Sequence, residues 1–212
     1  MACEILLLRH AQSEGNLLGQ FIGHTDVNIT DLGFRQAQAV KEFLKGVKID
    51  AVYSSDLKRA LQTVKPTADD HGLSIITDVD LREIWGGDWE GVPFDKIPEL
   101  FPEDQKKWFA DPIDSAPTNG ESIRQIYTRV ERFMNKLVKK EDEKRVLLTS
   151  HATTLRVLEC FLRGGLENWE KLPYVSNASI TTYRYEDGKY TLLEHNVDYF
   201  MGDMVTKLPS NI

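Results

Sequence analysis

The chain has 212 residues, 41% of them hydrophobic and 28% charged, the composition of an ordinary soluble globular protein with enough apolar material for a sizeable core. Its formal net charge of -7 argues against a nonspecific nucleic-acid or membrane surface, so any anion site has to be a local cluster of positive groups. The N-terminus lacks the features of a secretory signal, no stretch approaches transmembrane length, and Cys3 and Cys160 have neither disulfide nor zinc spacing; together these fit a reducing, cytoplasmic setting.

Taken in order, Leu6-Leu7-Leu8 reads as a buried strand that stops abruptly at Arg9-His10, and residues 13–16 supply a polar turn able to open a helix. An Arg-His pair after a strand is by itself more often a surface cap, and gains weight only if other segments point at it. Residues 21–26 read as a loop folding back over this turn. Thr30 or Asp31 caps a predicted helix over 32–45, which Gly46 ends. Residues 50–54 form a second strand, after which Ser55 or Asp56 caps a helix carrying Arg59 until Pro66 kinks or interrupts it. A third strand over 73–77 leads to 81–91, where three glycines among two tryptophans and several carboxylates suit a shaped loop.

Residues 92–119 carry five prolines and short helical pieces such as 103–110; they read as an insertion covering one side of the site, too apolar for a disordered linker. Ser122 and Gln125 form a capping box that starts a long helix to about Lys140. Residues 145–149 form the next buried strand, followed by Ser150-His151 and a helix over 154–162. Residues 179–185 and 190–194 flank a turn as a β-hairpin, whose outer edge either offers a strand for a homodimer or is capped by the tail, and the tail after Phe200 shows no clear element. Alternating strands and helices predict one domain over 1–212: a three-layer α/β/α sandwich, mostly parallel, with an antiparallel edge.

In such a sheet ligands bind outside the carboxyl ends of the strands. Three of those ends deliver Arg9 with His10, then Arg59, then His151, so parallel pairing gathers two guanidiniums and two imidazoles at one edge. Arginine donors match phosphate oxygens bidentately and stay charged at working pH, which points to phosphate chemistry.

The stretch Arg9-His10-Ala11-Gln12-Ser13-Glu14-Gly15-Asn16 is similar to the opening motif of the histidine phosphatase superfamily, the phosphoglycerate mutase-like group. Residues 26–37, 53–60, Leu81-Arg82-Glu83, Trp89-Glu90-Gly91, Gly120-Glu121-Ser122 and Ser150-His151 resemble that family in the same order, over nearly the whole chain. The resemblance implies a phosphoglycerate mutase-like fold and a metal-independent phosphomonoesterase, without cofactor, that acts on a small-molecule phosphomonoester and releases inorganic phosphate. Position by position it implies His10 as nucleophile, its second ring nitrogen held by a backbone carbonyl. Arg9, Arg59 and His151 would clamp the phosphoryl oxygens, with Asn16 a further donor and Ser13, Gly23, His24 and Ala152 close by. Glu83 would protonate the leaving oxygen and then activate water, which needs a raised pKa that Ile84 and Trp85 would supply by desolvating it. His71 and His195 read as structural.

The family's usual Gly after the His is here Ala11, whose methyl has to fit beside the phosphate loop. A cofactor-dependent phosphoglycerate mutase is the alternative, disfavoured because Glu83 is followed by Ile84-Trp85-Gly86-Gly87 where mutases carry Arg-His-Tyr-Gly. A catalytically silent phosphate-binding protein is the alternative of another class, and its mark would be loss of His10, Arg59, Glu83 or His151, all of which are present. Phe21, Ile22, Trp85, Trp89 and Trp108 are candidates for an apolar wall or, more simply, for packing.

Overall fold

The computed structural model describes residues 2–206 and contains a six-stranded sheet flanked by helices on both faces. In chain order its elements are β1 (Ala2–Arg9), α1 (Glu14–Leu18), α2 (Asp31–Leu44), β2 (Ala51–Ser54), α3 (Lys58–Asp70), β3 (Ile75–Thr77), α4 (Ile97–Leu100), α5 (Pro102–Ala110), α6 (Ile123–Lys140), β4 (Lys144–Ser150), α7 (Ala152–Leu162), β5 (Ile180–Glu186) and β6 (Lys189–Val197). The strand order is β3-β2-β4-β1-β5-β6, parallel from β3 to β1 and antiparallel from β1 onward. This is the mixed, three-layer arrangement the alternation predicts, with β6 at its edge. No helix among the described residues is long and apolar enough to cross a membrane.

Period-two alternation in β1 splits the core. Ile5 and Leu7 pack on one face with Ile126, Val130 and Met134 of α6 and Leu155 and Leu158 of α7; Leu6 and Leu8 pack on the other with Val40 and Leu44 of α2 and Val64 of α3. With both faces covered, the central strands are apolar throughout, which is why the continuous run Leu6-Leu7-Leu8 reads as a strand. Ala11 belongs to the second cluster, fully buried, so its methyl packs into the core.

Four local differences from the sequence reading have physical causes. Pro66 does not end α3, because the buried face Arg59, Ala60, Thr63, Val64, Thr67 and Ala68 continues on both sides of the proline and tertiary packing holds the helix together. α3 starts later than expected: Leu57 is the N-cap residue with no side-chain hydrogen bond, Ser55 Oγ accepts from Leu57 N at 3.3 Å just ahead of it, Asp56 pairs with Arg82, and Asp26 reaches across to accept from Lys58 N at 2.7 Å. The hairpin closes over Asp187-Gly188 alone, both with positive φ (49° and 84°), so the strands run to the turn itself. The tail beyond Tyr199 is ordered on α2 as 3-10 turns, with Phe200 stacked on Phe43 at 4.3 Å and Met201 buried; residues 207–212 lie outside the described residues.

The aromatic residues of 92–119 and the loop before it pack chiefly on one another. Phe21 meets Trp89 and Phe94 edge-on at 5.7 and 5.9 Å, and Trp89 meets Trp108 at 5.9 Å. Only Trp85 of the two loop tryptophans reaches the surface, beside the His24 ring at 5.1 Å.

Candidate active site

The three central parallel strands end at one level: Arg9 pairs with Ser150, and Ser54 with Thr149. The ladder extends one step further, with His10 N donating to Ser150 O at 2.9 Å and Ser55 N to Thr149 O at 3.0 Å. Regular backbone thus carries His10 and His151 to one place, and α3 brings Arg59 beside them.

His10 is almost fully buried, and its Nδ1 lies 2.7 Å from the Ala11 carbonyl. A carbonyl only accepts, so Nδ1 carries the proton and Nε2 keeps its lone pair. Burial, reinforced by the charges of Arg59 and Arg9, holds the imidazole well below its ordinary range and therefore neutral. His151 is fixed by the same reasoning: Arg59 Nε donates to its Nδ1 at 3.1 Å, so its Nε2 carries the hydrogen that points to Ser55 Oγ at 2.8 Å. Burial and the Arg59 charge depress this imidazole too. The two rings are 5.1 Å apart.

Arg59 is 1% exposed and also donates to the carbonyls of Gly23 (2.6 Å) and Thr25 (3.1 Å). Arg9 is 4% exposed; Nη1 donates to Val175 O at 2.6 Å and Nε has no partner. Burial lowers Arg9 to about 10, so it remains a cation at neutral pH. Neither arginine has a carboxylate in ion-pair contact among the described residues. Two desolvated cations beside two neutral imidazoles make this cluster a candidate anion receptor.

Glu83 occupies the N-terminus of α7. Its Oε1 accepts from Ile84 N (2.9 Å) and Thr154 N (3.1 Å), and its Oε2 from Thr153 N (3.1 Å). The apolar surroundings expected from Ile84 and Trp85 are absent: Ile84 turns into the core, Trp85 faces outward, and the carboxyl is ringed by donors. His24 Nε2 lies 2.9 Å from the Glu83 carbonyl, and an open groove of about 460 Å³ lined by His24, Trp85, Glu121 and Gln125 adjoins it.

The remaining candidates stand around this centre in supporting positions. Ser13 caps α1 by accepting from Asn16 N at 3.3 Å, while Asn16 Oδ1 accepts from Ser13 N at 3.1 Å. Gly23 offers its carbonyl to Arg59, and a Cβ there would sit 2.1 Å from the Ile84 carbonyl, so only glycine fits. Ala152 is the first residue of α7, partly buried next to His151. His71 is structural, with its two ring nitrogens on the carbonyls of Thr67 and Val47.

A match to the histidine phosphatase superfamily (branch 1) spans residues 5–198. The chain belongs to the histidine phosphatase superfamily. A putative phosphoserine phosphatase 2 of Hydrogenobacter thermophilus is 36% identical to this histidine phosphatase over 91% of this chain and 94% of its own. A solved structure described as a putative α-ribazole-5'-phosphate phosphatase of Escherichia coli superposes with a TM-score of 0.87 at 29% identity, covering 92% of this chain and 97% of its own. A mycobacterial glucosyl-3-phosphoglycerate phosphatase, solved with vanadate, superposes with a TM-score of 0.85 at 30% identity, covering 92% and 99%. The enzyme is accordingly a phosphatase, a phosphoric monoester hydrolase.

Four supporting residues of this histidine phosphatase escape sequence reasoning. Glu90 accepts from the backbone N–H groups of Gly23, His24, Thr25 and Gly86 and from the Thr25 hydroxyl, fixing the loop whose carbonyls hold Arg59. The glycine-rich stretch around it, full of N–H groups in need of an acceptor, is the signal that points to it. Arg129 on α6 pairs with Glu121 and donates to the carbonyls of Asp80 and Glu83, bracing the backbone that presents Glu83. Asn177 Nδ2 donates to His10 O at 2.9 Å, and Ala178, with φ of 57°, donates to Arg9 O at 3.1 Å.

Proposed function

We propose that this phosphatase hydrolyses the phosphomonoester of a small metabolite in two steps through a phosphohistidine on His10. In the first, His10 Nε2 forms a bond to phosphorus as the ester P–O bond breaks, and Glu83 gives a proton to the leaving alkoxide. In the second, Glu83 takes a proton from a water molecule that attacks the phosphohistidine, releasing inorganic phosphate and restoring His10. Arg9, Arg59 and His151 bind the phosphoryl oxygens, with Asn16 a further donor, and positive side chains take the charge-balancing part that would otherwise fall to a metal. Residues 92–119 wall one side of the site.

The observation that carries this reading is the Nδ1 contact of His10 with the Ala11 carbonyl, which leaves a lone pair on Nε2 among unpaired cations. The substrates named for the relatives, phosphoserine, α-ribazole phosphate and glucosyl-3-phosphoglycerate, are all small phosphate esters and support the substrate class. The buried, unpaired thiols of Cys3 and Cys160, both pushed up to about 11 by burial, are compatible with a cytoplasmic setting.

Phosphate release from a panel of phosphomonoesters, with chelator present, tests the proposal in wild type and His10→Ala. Chelator-resistant release that falls by about 10⁴-fold or more in the variant is expected. Interconversion of 3-phosphoglycerate and 2-phosphoglycerate with little release would make the enzyme a mutase instead, and phosphate binding without turnover would make it a binding protein.

A further inference from the structure

The described arginines that are not exposed fall into two groups. Arg82, Arg129 and Arg145 each hold a carboxylate, from Asp56, Glu121 and Glu4. Arg9, Arg59 and Arg156 have none in ion-pair contact among the described residues. Two of these three face the proposed phosphoryl site. The third, Arg156, lies on α7 one turn beyond Ala152 and Thr153, on the same side of the helix.

Arg156 is built into place. Its guanidinium stacks over the rings of Trp169 and Tyr174, 3.9 and 4.7 Å from their centroids, and Nη2 donates to Trp169 O at 2.7 Å, while Nε is buried without a partner. Arg9 is held in the same fashion, by one hydrogen bond from an η amine to Val175 O and with an orphaned Nε. Both carbonyls belong to the stretch 169–175, and Tyr174 links the two cations. Its hydroxyl meets the side chains of Arg156 and Thr153 and lies within electrostatic range of Glu83 and Arg9. Stacking orients the guanidinium and lowers the cost of desolvating it, but leaves its charge uncompensated.

We propose that Arg156, with the hydroxyls of Tyr174 and Thr153, binds a carboxylate on the leaving alcohol, so that the preferred substrates are phosphate monoesters of small hydroxy acids. This rests on the phosphatase reading above. A carboxylate fits better than a second phosphate, because a lone cation balances its single charge and a planar guanidinium matches its planar shape.

The test measures kcat and KM for O-phosphoserine and 3-phosphoglycerate, which carry a carboxylate, for glycerol 1-phosphate, which does not, and for 1,3-propanediol bisphosphate. Arg156→Met is expected to raise KM for the two carboxylate esters by about 10- to 100-fold, the worth of a charged hydrogen bond, with kcat nearly unchanged and glycerol 1-phosphate unaffected. Tyr174→Phe keeps the stacked ring and is expected to show a smaller loss on the same two esters. If Arg156→Met does not fold, Arg156→Lys reads the same split, since it keeps the charge and loses the planar fork. Equal losses on all four esters, no loss on any, or a loss confined to the bisphosphate would overturn the inference. If wild type releases phosphate from no ester, the phosphatase reading fails, and calorimetric titration of 3-phosphoglycerate into wild type and Arg156→Met then decides the subsite: equal affinities overturn it.

Discussion

At the amino ends of β1 and β4, Arg145 and Arg184 both reach Glu4, at 2.6 and 3.6 Å, Lys48 reaches Asp50 at 2.8 Å, and Lys144 reaches Glu141 at 2.8 Å. At the carboxyl ends of the same sheet, Arg9 and Arg59 are desolvated and meet carbonyls and an imidazole instead of carboxylates. Apart from the buried carboxylate of Glu141, the amino-end pairs sit near water, where an ion pair contributes little and tolerates change. The carboxyl-end cations are held where an absent counter-ion costs most, an arrangement that becomes favourable when an anionic ligand arrives. Charge is thus informative where it is buried and left unbalanced.

The largest effect that sharpens this contrast is expected from Arg59→Met. Arg59 holds His151 and, in the proposed mechanism, also binds the anion, so kcat/KM for any good phosphomonoester is expected to fall by about 10²- to 10³-fold. The stabilisation that saturating inorganic phosphate gives in thermal melts is expected to shrink alongside it. A variant that kept both would show that the cluster is not the anion site.

Next in size is the response to acid. Unfolded histidine takes up its proton as pH falls through about 6.5, whereas His10 and His151 resist protonation in the folded protein. The unfolded state then binds more protons, so their contribution to stability is complete above about pH 6.5 and is lost progressively below it, by on the order of 1 kcal/mol per pH unit. Urea melts between pH 5 and 8 are expected to show this slope without phosphate and a shallower one with it, since a bound anion favours the protonated rings. A flat profile would break the claim that these rings are held neutral.

The smallest effect is expected at the opposite edge. Arg145→Met removes an ion pair with Glu4 and is expected to change stability by less than about 1 kcal/mol and kcat/KM hardly at all. A loss of activity there would erase the distinction between the two ends of the sheet.

Much of the candidate site was legible because it is written in local pattern. An apolar run ending in Arg9-His10, another ending before Ser150-His151, and a helix start bearing Arg59 each declare a strand end within a few residues, and parallel pairing does the gathering. The capping residues Thr30 and Ser122 are equally local. What sequence did not reveal acts over long separations: Asp26 capping α3, Asn177 holding the His10 carbonyl, Glu90 organising the loop beneath Arg59. The surroundings of Glu83 were misjudged because its carboxylate is met by N–H groups, of Ile84 and of Thr153 and Thr154 on α7, while the apolar side chains of Ile84 and Trp85 point elsewhere.

The place of β1 in the sheet has a consequence for how the enzyme comes into being. Made before the other five strands of its sheet, β1 is flanked by β4 and β5, with Leu6 opposite Leu147 on one side and Thr182 on the other. Until residues as far as 186 have been made, β1 is an apolar ribbon with an uncovered edge, the kind of segment that invites wrong pairing. The backbone of His10 waits equally long, for Asn177 and Ala178. Synthesis therefore delivers the proposed nucleophile early and its mooring late: a ribosome stalled before β5 holds a chain in which His10 still lacks that support.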